Sequence, residues 1–237
     1  MSEKRSLLVW KNYALLKSQS KIIRSGFGLL GVYPYAVNNP VEPQRSESVL
    51  EHVAGTLILV NLISAYYPEA IPRTELLAYI LLLLHHETGE GKIGDLPDDG
   101  RRDEAEKNRI ELEALKAYSQ TLPPDLGQDL VIDFMEFQSK ISQRGQVTYC
   151  IDKIEAVFQG LLYEMEGRGG DMQNKAKAWK VSEQDQKYMI LTGTTRLVDN
   201  WAAHFLDKIK DLPCAPLFIE ILRSAVEDVR GEWFDWL

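Results

Sequence analysis

One segment combines the only run of four leucines with the densest group of metal-ligand side chains. LLLLHHETGEGKIGDLP, from Leu81 to Pro97, places two histidines, two glutamates and an aspartate directly after the leucines. Imidazole nitrogens and carboxylate oxygens are common ligands of divalent metals. A carboxylate buried at the end of an apolar helix needs a cationic partner, which a divalent metal supplies directly. The segment therefore indicates a metal site at His86 and Glu87.

Two ligands are too few for a catalytic metal, which takes three or four protein ligands and keeps open positions for water or substrate. Two further ligating side chains lie among apolar residues at helical spacing: His52 in ESVLEHVAG and Asp152 in YCIDKIEAVF. Three helices can thus direct ligands at one centre. The predicted metal ligands are His52, His86, Glu87 and Asp152.

The order of these residues resembles the HD-domain superfamily of metal-dependent phosphohydrolases, in which a histidine, a His-Asp pair and a distant aspartate lie on helices. Three segments carry the resemblance: RSESVLEH at the first histidine, HETGEGKIGDLP at the pair and DKIEA at the last aspartate. The branch that shares them is the 5′-deoxynucleotidase-like one, whose members remove phosphate from nucleoside monophosphates. The resemblance spans about residues 45–166. It implies one divalent metal ion, which would be Mn, Co, Mg, Fe or Ni.

The resemblance also implies roles for residues around the metal, which polarises a phosphoryl oxygen and lowers the pKa of a bound water. Glu90, three residues after Glu87, matches the catalytic residue that positions or deprotonates the attacking water. Asp95 matches the residue that handles a water or the sugar hydroxyl. A phosphate dianion needs positive partners beyond the metal. The predicted substrate-binding residues are Arg45, Arg101 and Lys153.

Position 87 departs from the family pattern, because glutamate stands where the family has aspartate. Both are hard oxygen ligands, but glutamate is longer by one methylene group, and a displacement of about 1 Å can lower a rate about 10²-fold. Two functions stay open. One is a metal-dependent phosphomonoesterase acting on a (deoxy)nucleoside 5′-monophosphate, and the other is a catalytically impaired HD protein that binds or senses nucleotides.

A third function, oxidation of a substrate by two irons, occurs in some HD-fold proteins whose sites hold additional histidines before the last aspartate. No histidine occurs between His86 and Asp152, so the sequence disfavours this function.

His85 projects about 100° away from its neighbour His86 on a helix and is predicted to be structural. His204 is predicted to pack rather than to bind. A core or dimer-interface position is expected for Trp179, Trp201, Trp233 and Trp236.

Composition restricts the partners of the chain. The net charge is −8, which argues against binding to nucleic acid polymers or anionic membranes, while a small nucleotide needs only a local basic site.

Cys150 and Cys214 form no disulfide framework, and each is predicted to be a small buried apolar residue. The N-terminus has no signal-peptide pattern, and no stretch approaches a membrane span. We therefore expect a cytoplasmic protein; a homodimer is expected from the resemblance.

Apolar residues recur at helical spacing almost throughout, which predicts an all-α fold. We expect a single HD-type helical domain over residues 1–237, with the motif core at about 45–166, an additional N-terminal helix and a C-terminal helical extension at about 180–237. The leucine-rich helix is predicted to be buried on nearly all sides, and the charge-rich helix that follows is predicted to be a solvated face. Helices are predicted at residues 6–24, 48–67, 75–87, 102–120, 125–139, 146–166, 183–209 and 216–236, with a loop at 89–99.

Overall fold

The computed structural model describes residues 47–96, 103–165, 167 and 183–231. This part of the chain contains nine α-helices and no β-strand, which confirms the predicted all-α fold class. The helix predicted at residues 6–24 lies outside the described residues. In chain order the helices are α1 (Val49–Tyr66), α2 (Leu76–His85), α3 (Glu90–Ile93), α4 (Glu104–Ser119), α5 (Pro124–Ser139), α6 (Gln143–Met165), α7 (Glu183–Thr192), α8 (Leu197–Ile209) and α9 (Ala215–Arg230).

The sequence offers two serine caps for α1, Ser46 and Ser48, and in the structure Ser48 is the N-cap residue. The Ser48 hydroxyl accepts a hydrogen bond from the backbone N–H of Glu51 (3.3 Å), and the Glu51 carboxylate accepts one from the backbone N–H of Ser48 (2.8 Å). This reciprocal capping box satisfies two donors that the helix leaves without partners in its own backbone. The cap therefore determines the start of α1 four residues before His52.

Three predicted elements differ from the structure, besides shifts of up to three residues at the ends of other helices. The segment predicted as one helix over residues 183–209 is two helices, because Gly193 adopts a φ of 64° directly after α7. Glycine reaches this left-handed region without the steric cost that other residues incur. Gly231, with a φ of 78°, likewise ends α9 after Arg230, before the predicted end at Trp236. The predicted loop after α2 contains the short helix α3.

The leucine-rich helix α2 is less buried than predicted. One side packs against α1 and α5 and carries Tyr79, Leu82 and Leu83, which are nearly inaccessible to solvent. The opposite side carries Leu77 and Leu81, which are 66% and 38% exposed. Complete burial is therefore wrong for α2.

Helix α1 combines 18 residues with a mean hydropathy of 1.5, so by length and composition alone it is able to cross a membrane. The expectation that no stretch approaches a membrane span does not hold for α1. Core helices of globular proteins have the same length and composition. Buried polar side chains on α1, including Thr56 and Ser64, form hydrogen bonds to protein carbonyl groups.

The described residues divide into two compact units. The first contains residues 47–96 and 103–149, from α1 to the first two turns of α6. In this unit α2 packs on α1 and on α5, and α4 packs on α5 around a cluster of buried side chains. The members of that cluster are Leu115, Tyr118, Leu130 and Phe134. The single domain expected from the sequence stays a prediction.

The second unit contains the described residues from 150 onward, and an ion-pair network joins three of its helices. On α9, Arg230 donates from Nη2 to both carboxylate oxygens of Glu164 on α6, at 2.8 Å each, and from Nη1 to Asp199 on α8. Asp199 is only 2% exposed. The Arg230 guanidinium therefore compensates a carboxylate that is almost fully removed from water.

Replacing Arg230 by methionine is expected to lower the free energy of unfolding by about 3 kcal/mol. Removing one partner leaves a buried charge uncompensated, which typically costs about 3–5 kcal/mol, and Arg196, 3.1 Å from Asp199, offsets part of the loss. Urea denaturation measures the change. The matched control is Arg109→Ala, because Arg109 pairs with Glu113 on the surface of α4 and such pairs contribute less than about 1 kcal/mol. Equal losses in both variants would contradict the prediction.

Candidate metal centre

His86 lies at the C-terminal end of α2 and is held in one orientation. Its Nδ1 lies 2.6 Å from the Leu83 carbonyl oxygen, so Nδ1 carries the proton and donates to this carbonyl. The lone pair is then left on Nε2, the arrangement of a histidine that binds a metal through Nε2. The ring also packs at 4.5 Å against Phe137 of α5. The backbone and α5 thus determine both the tautomer and the direction of the ring.

Glu87 brings a carboxylate between two imidazoles. Its Oε1 lies 3.4 Å from Nε2 of His86 and 3.7 Å from Nε2 of His52. Two ligand atoms that each lie about 2.1 Å from the same metal ion are roughly 3.0–3.5 Å from each other. The two Oε1–Nε2 distances are therefore close to those expected for side chains that bind one ion. His52 is fully buried on α1. The three side chains therefore fit a divalent cation by donor type and by separation.

Asp152 follows Tyr149 by three residues on α6, so both project from nearly the same side of the helix. The Tyr149 ring lies 5.8 Å from Phe137, the residue that packs against His86. Each predicted ligand offers one atom, and these atoms all lie within 4.8 Å of one another. The structure thus brings together a group able to hold a metal ion, consisting of His52, His86, Glu87 and Asp152.

Lys153 lies beside this group. Its Nζ is 2.7 Å from Oδ2 of Asp152, and its side chain is partly accessible to solvent. An ammonium group at this position compensates the buried Asp152 carboxylate. The position is consistent with the predicted substrate-binding role of Lys153, which stays a prediction. Arg45 and Arg101, the other two predicted substrate-binding residues, lie outside the described residues.

Glu90 is the first residue of α3 and is buried. Burial raises the pKa of its carboxyl group well above the usual value, and the negative charges of Glu87 and Asp95 raise it further, whereas Lys107 lowers it. A carboxyl group with a raised pKa exchanges a proton more readily near neutral pH. A divalent cation at the neighbouring ligands would act in the opposite direction. The surroundings of Glu90 therefore suit a residue that accepts a proton.

The raised pKa of Glu90 predicts a pH-dependent stability for the metal-free protein. A raised pKa means that the folded state favours the protonated form, so the contribution of Glu90 is fully present below its unfolded pKa of about 4.3. This contribution is lost as the pH rises through the folded pKa. In the presence of a chelator, Glu90→Gln should therefore have a higher Tm than the unchanged protein at pH 7.5 and a similar one near pH 4. A lower Tm at pH 7.5 would contradict this.

Sequence reasoning missed two charged residues near Glu90, both on α4. Lys107 and Glu111 act on the Glu90 carboxyl group, and Nζ of Lys107 lies 3.7 Å from Oε1 of Glu111. Glu111 is buried, so the interpretation of this helix as a solvated face is wrong for this side. The sequence spacing of Glu111 could have indicated its burial, because Glu111 precedes the buried Leu115 by four residues and Tyr118 by seven. These intervals place all three on one face of a helix.

The other histidines contact neighbouring protein groups. Nδ1 of His85 on α2 lies 2.7 Å from Oδ2 of Asp133 on α5, which agrees with a structural role. The ring of His204 packs at 5.2 Å against Tyr188. Trp201 packs against a cluster in the second unit formed by Tyr163 and Leu197. The other tryptophans for which the sequence predicts a core or interface position lie outside the described residues: Trp179, Trp233 and Trp236.

Comparison with known sequences gives matches along much of the chain. The sequence model of the family described as HD domain matches residues 39–190, more than half of the chain. The human 5′-deoxynucleotidase HDDC2 is 28% identical over 132 residues, which cover 55% of this chain and 62% of the relative. The mouse 5′-deoxynucleotidase HDDC2 is 31% identical over 96 residues, 40% of this chain and 48% of the relative. The matches thus span about half to three fifths of these relatives.

Comparison with solved structures gives matches over nearly the whole chain. A conserved hypothetical protein from Pyrococcus furiosus has a TM-score of 0.59 and 21% identity, with coverage of 93% of this chain and 98% of that protein. A protein described as a predicted metal-dependent phosphohydrolase, from Magnetospirillum magnetotacticum MS-1, has a TM-score of 0.58 and 16% identity, with coverage of 97% and 94%. At these identities the similarity shows a shared fold.

Proposed function

Because this chain belongs to the HD domain family, we propose that it is a metal-dependent phosphohydrolase that releases phosphate from a (deoxy)nucleoside 5′-monophosphate. The observation that carries the proposal is the four-residue group of two imidazoles and two carboxylates next to the buried Glu90. The matches to the 5′-deoxynucleotidases support the substrate class. A homodimer and a cytoplasmic location stay predictions from the sequence.

The proposed ligands are His52, His86, Glu87 and Asp152. A divalent ion held by them would supply a Lewis acid for a phosphoryl oxygen and would lower the pKa of a bound water. Glu90 orients the attacking water and accepts its proton, since Glu90 is a buried carboxyl group whose pKa is raised. Asp95 binds either a water molecule or a hydroxyl group of the sugar. Lys153, beside Asp152, faces the phosphate as a positive partner.

A phosphate-release assay tests the proposal. The purified chain is loaded with Mn²⁺, Co²⁺ or Mg²⁺, its metal content is determined, and it is then incubated with nucleoside and deoxynucleoside 5′-monophosphates. The corresponding 3′-monophosphates and a simple sugar phosphate are the matched comparison substrates. Preferred release from the 5′-monophosphates is expected. Absence of release from every substrate by protein with bound metal would reject the enzymatic function.

The second candidate function is a catalytically impaired protein that binds or senses nucleotides, and the observation that favours it is the glutamate at position 87. Such a protein gains thermal stability from nucleotide without forming product. The position of Glu87 favours the enzyme, because the longer side chain already brings Oε1 within 3.4 Å and 3.7 Å of the two histidine nitrogens. An aspartate would withdraw this oxygen by roughly 1.5 Å.

Glu87→Asp is therefore expected to lower phosphate release by about 10²-fold, as expected for a displacement of the order of 1 Å or more at a reacting centre. The matched variant Glu87→Gln retains the length and removes the charge, so it separates the effect of reach from that of charge. Steady-state kinetics with determined metal content measures both variants. A gain of activity in Glu87→Asp would favour the impaired binding protein instead.

A further inference from the structure

The two cysteines of the chain lie together in the second unit. Sγ of Cys150 on α6 is 3.6 Å from Sγ of Cys214, although 64 residues separate them in the sequence. Cys150 is buried, as predicted, but Cys214 is partly accessible to solvent, so the prediction of two buried apolar residues is wrong for Cys214. Disulfide sulfurs are about 2.05 Å apart, and this pair would need to approach by roughly 1.5 Å.

Cys214 has the surroundings of a reactive thiol. It precedes the 16-residue helix α9 as its N-cap residue, where the helix dipole favours a negative charge. The hydrogen bond from the Cys150 thiol lowers the pKa of Cys214, against the opposing effect of partial burial. The thiolate is the nucleophilic form of cysteine. Partial exposure and this stabilisation together make Cys214 the member of the pair that meets an oxidant from solvent first.

We propose that Cys150 and Cys214 are a site of reversible oxidation, at which hydrogen peroxide converts the two thiols into an intramolecular disulfide. The Cys214 thiolate attacks one peroxide oxygen, the O–O bond breaks, and the leaving oxygen takes up a proton and departs as water. Cys214 is then a sulfenic acid. The Cys150 sulfur attacks the Cys214 sulfur, the S–S bond forms, the S–O bond breaks, and a second water leaves with the proton of Cys150.

The electron balance of this reaction is closed. The two thiols lose two protons and two electrons, and hydrogen peroxide takes these up and is reduced to two molecules of water. The bond connects α6 to the start of α9 and closes a long loop of the chain. Closing such a loop restricts the unfolded state, so the oxidised protein is more stable than the reduced one. Neither cysteine belongs to the group of proposed ligands, although Cys150 lies two residues before Asp152 on α6, and the test by mass spectrometry below does not require phosphate release.

Mass spectrometry of the full-length protein after brief treatment with a small excess of hydrogen peroxide tests the proposal. We expect a loss of two hydrogen atoms, a cross-linked peptide that contains Cys150 and Cys214, and full reversal by dithiothreitol. The Tm of the oxidised protein should rise by about 5–10 °C and return after reduction. Cys214 oxidised to a sulfinic acid, or joined to a second chain while Cys150 remains a thiol, would overturn the proposal.

Two single variants test the order of the steps. Cys150→Ser should stop at the sulfenic acid of Cys214, which dimedone traps as a stable adduct. Cys214→Ser should leave Cys150 reduced at a dose of peroxide that oxidises the unchanged protein completely. Oxidation of Cys150 in Cys214→Ser at the rate of the unchanged protein would refute the assignment of Cys214 as the first site of attack.

Discussion

Glu90→Gln is expected to lower kcat for phosphate release by about 10²–10⁴-fold, the range that general acid–base groups contribute. The glutamine keeps the size of the buried side chain but has no carboxylate to accept a proton from the attacking water. Glu90 is not among the four proposed ligands, so the amount of bound metal should stay unchanged. Steady-state kinetics, together with metal analysis of the same samples, measures both quantities.

Glu106→Gln is the matched control for this prediction, because Glu106 is an exposed residue in the first turn of α4. It should have the kcat of the unchanged protein. Glu90→Gln should also bind a nucleoside 5′-monophosphate in a thermal-shift experiment, since only the proton acceptor is removed. If kcat falls less than about tenfold while metal is retained, Glu90 is not the general base.

His86→Gln is expected to remove most of the bound metal and to lower phosphate release by at least 100-fold. Removing a residue that only supports a metal ligand costs up to about 100-fold. Removing a ligand itself should therefore cost at least this much. The reason is the orientation of His86, whose proton on Nδ1 is held by the Leu83 carbonyl and whose Nε2 faces Glu87. Glutamine has no imidazole lone pair at this position. Metal analysis after dialysis, followed by the phosphate assay, measures the effect.

The adjacent histidine provides the matched control. His85 is bound to Asp133 on α5 through Nδ1, so His85→Gln should lower the stability but retain the metal. Circular dichroism of both variants establishes that each is folded before metal is determined. If His85→Gln and His86→Gln lose metal to the same extent, the effect arises from α2 as a whole and the specific role of His86 is rejected.

The sequence by itself determined the features that depend on local pattern. Three such features are a serine cap for α1 at Ser46 or Ser48, the apolar composition of α1, and the order of His52, His86, Glu87 and Asp152. Each is readable because it rests on neighbouring residues or on a motif. A helix orients residues three or four positions apart in a known way. The sequence also showed the departure at position 87, since a substitution within a motif needs no coordinates to be recognised.

Only the tertiary structure decided which remote groups meet. The charges of Lys107 and Glu111 on α4 act on the pKa of Glu90, and Cys150 meets Cys214 from 64 positions away in the sequence. Helical periodicity indicates which face of a helix is apolar, but it does not indicate which other helix covers that face. The pKa of a buried carboxyl group and the reactivity of a thiol depend on charges, donors and burial supplied by distant segments. Those contributions exist only after the helices have packed.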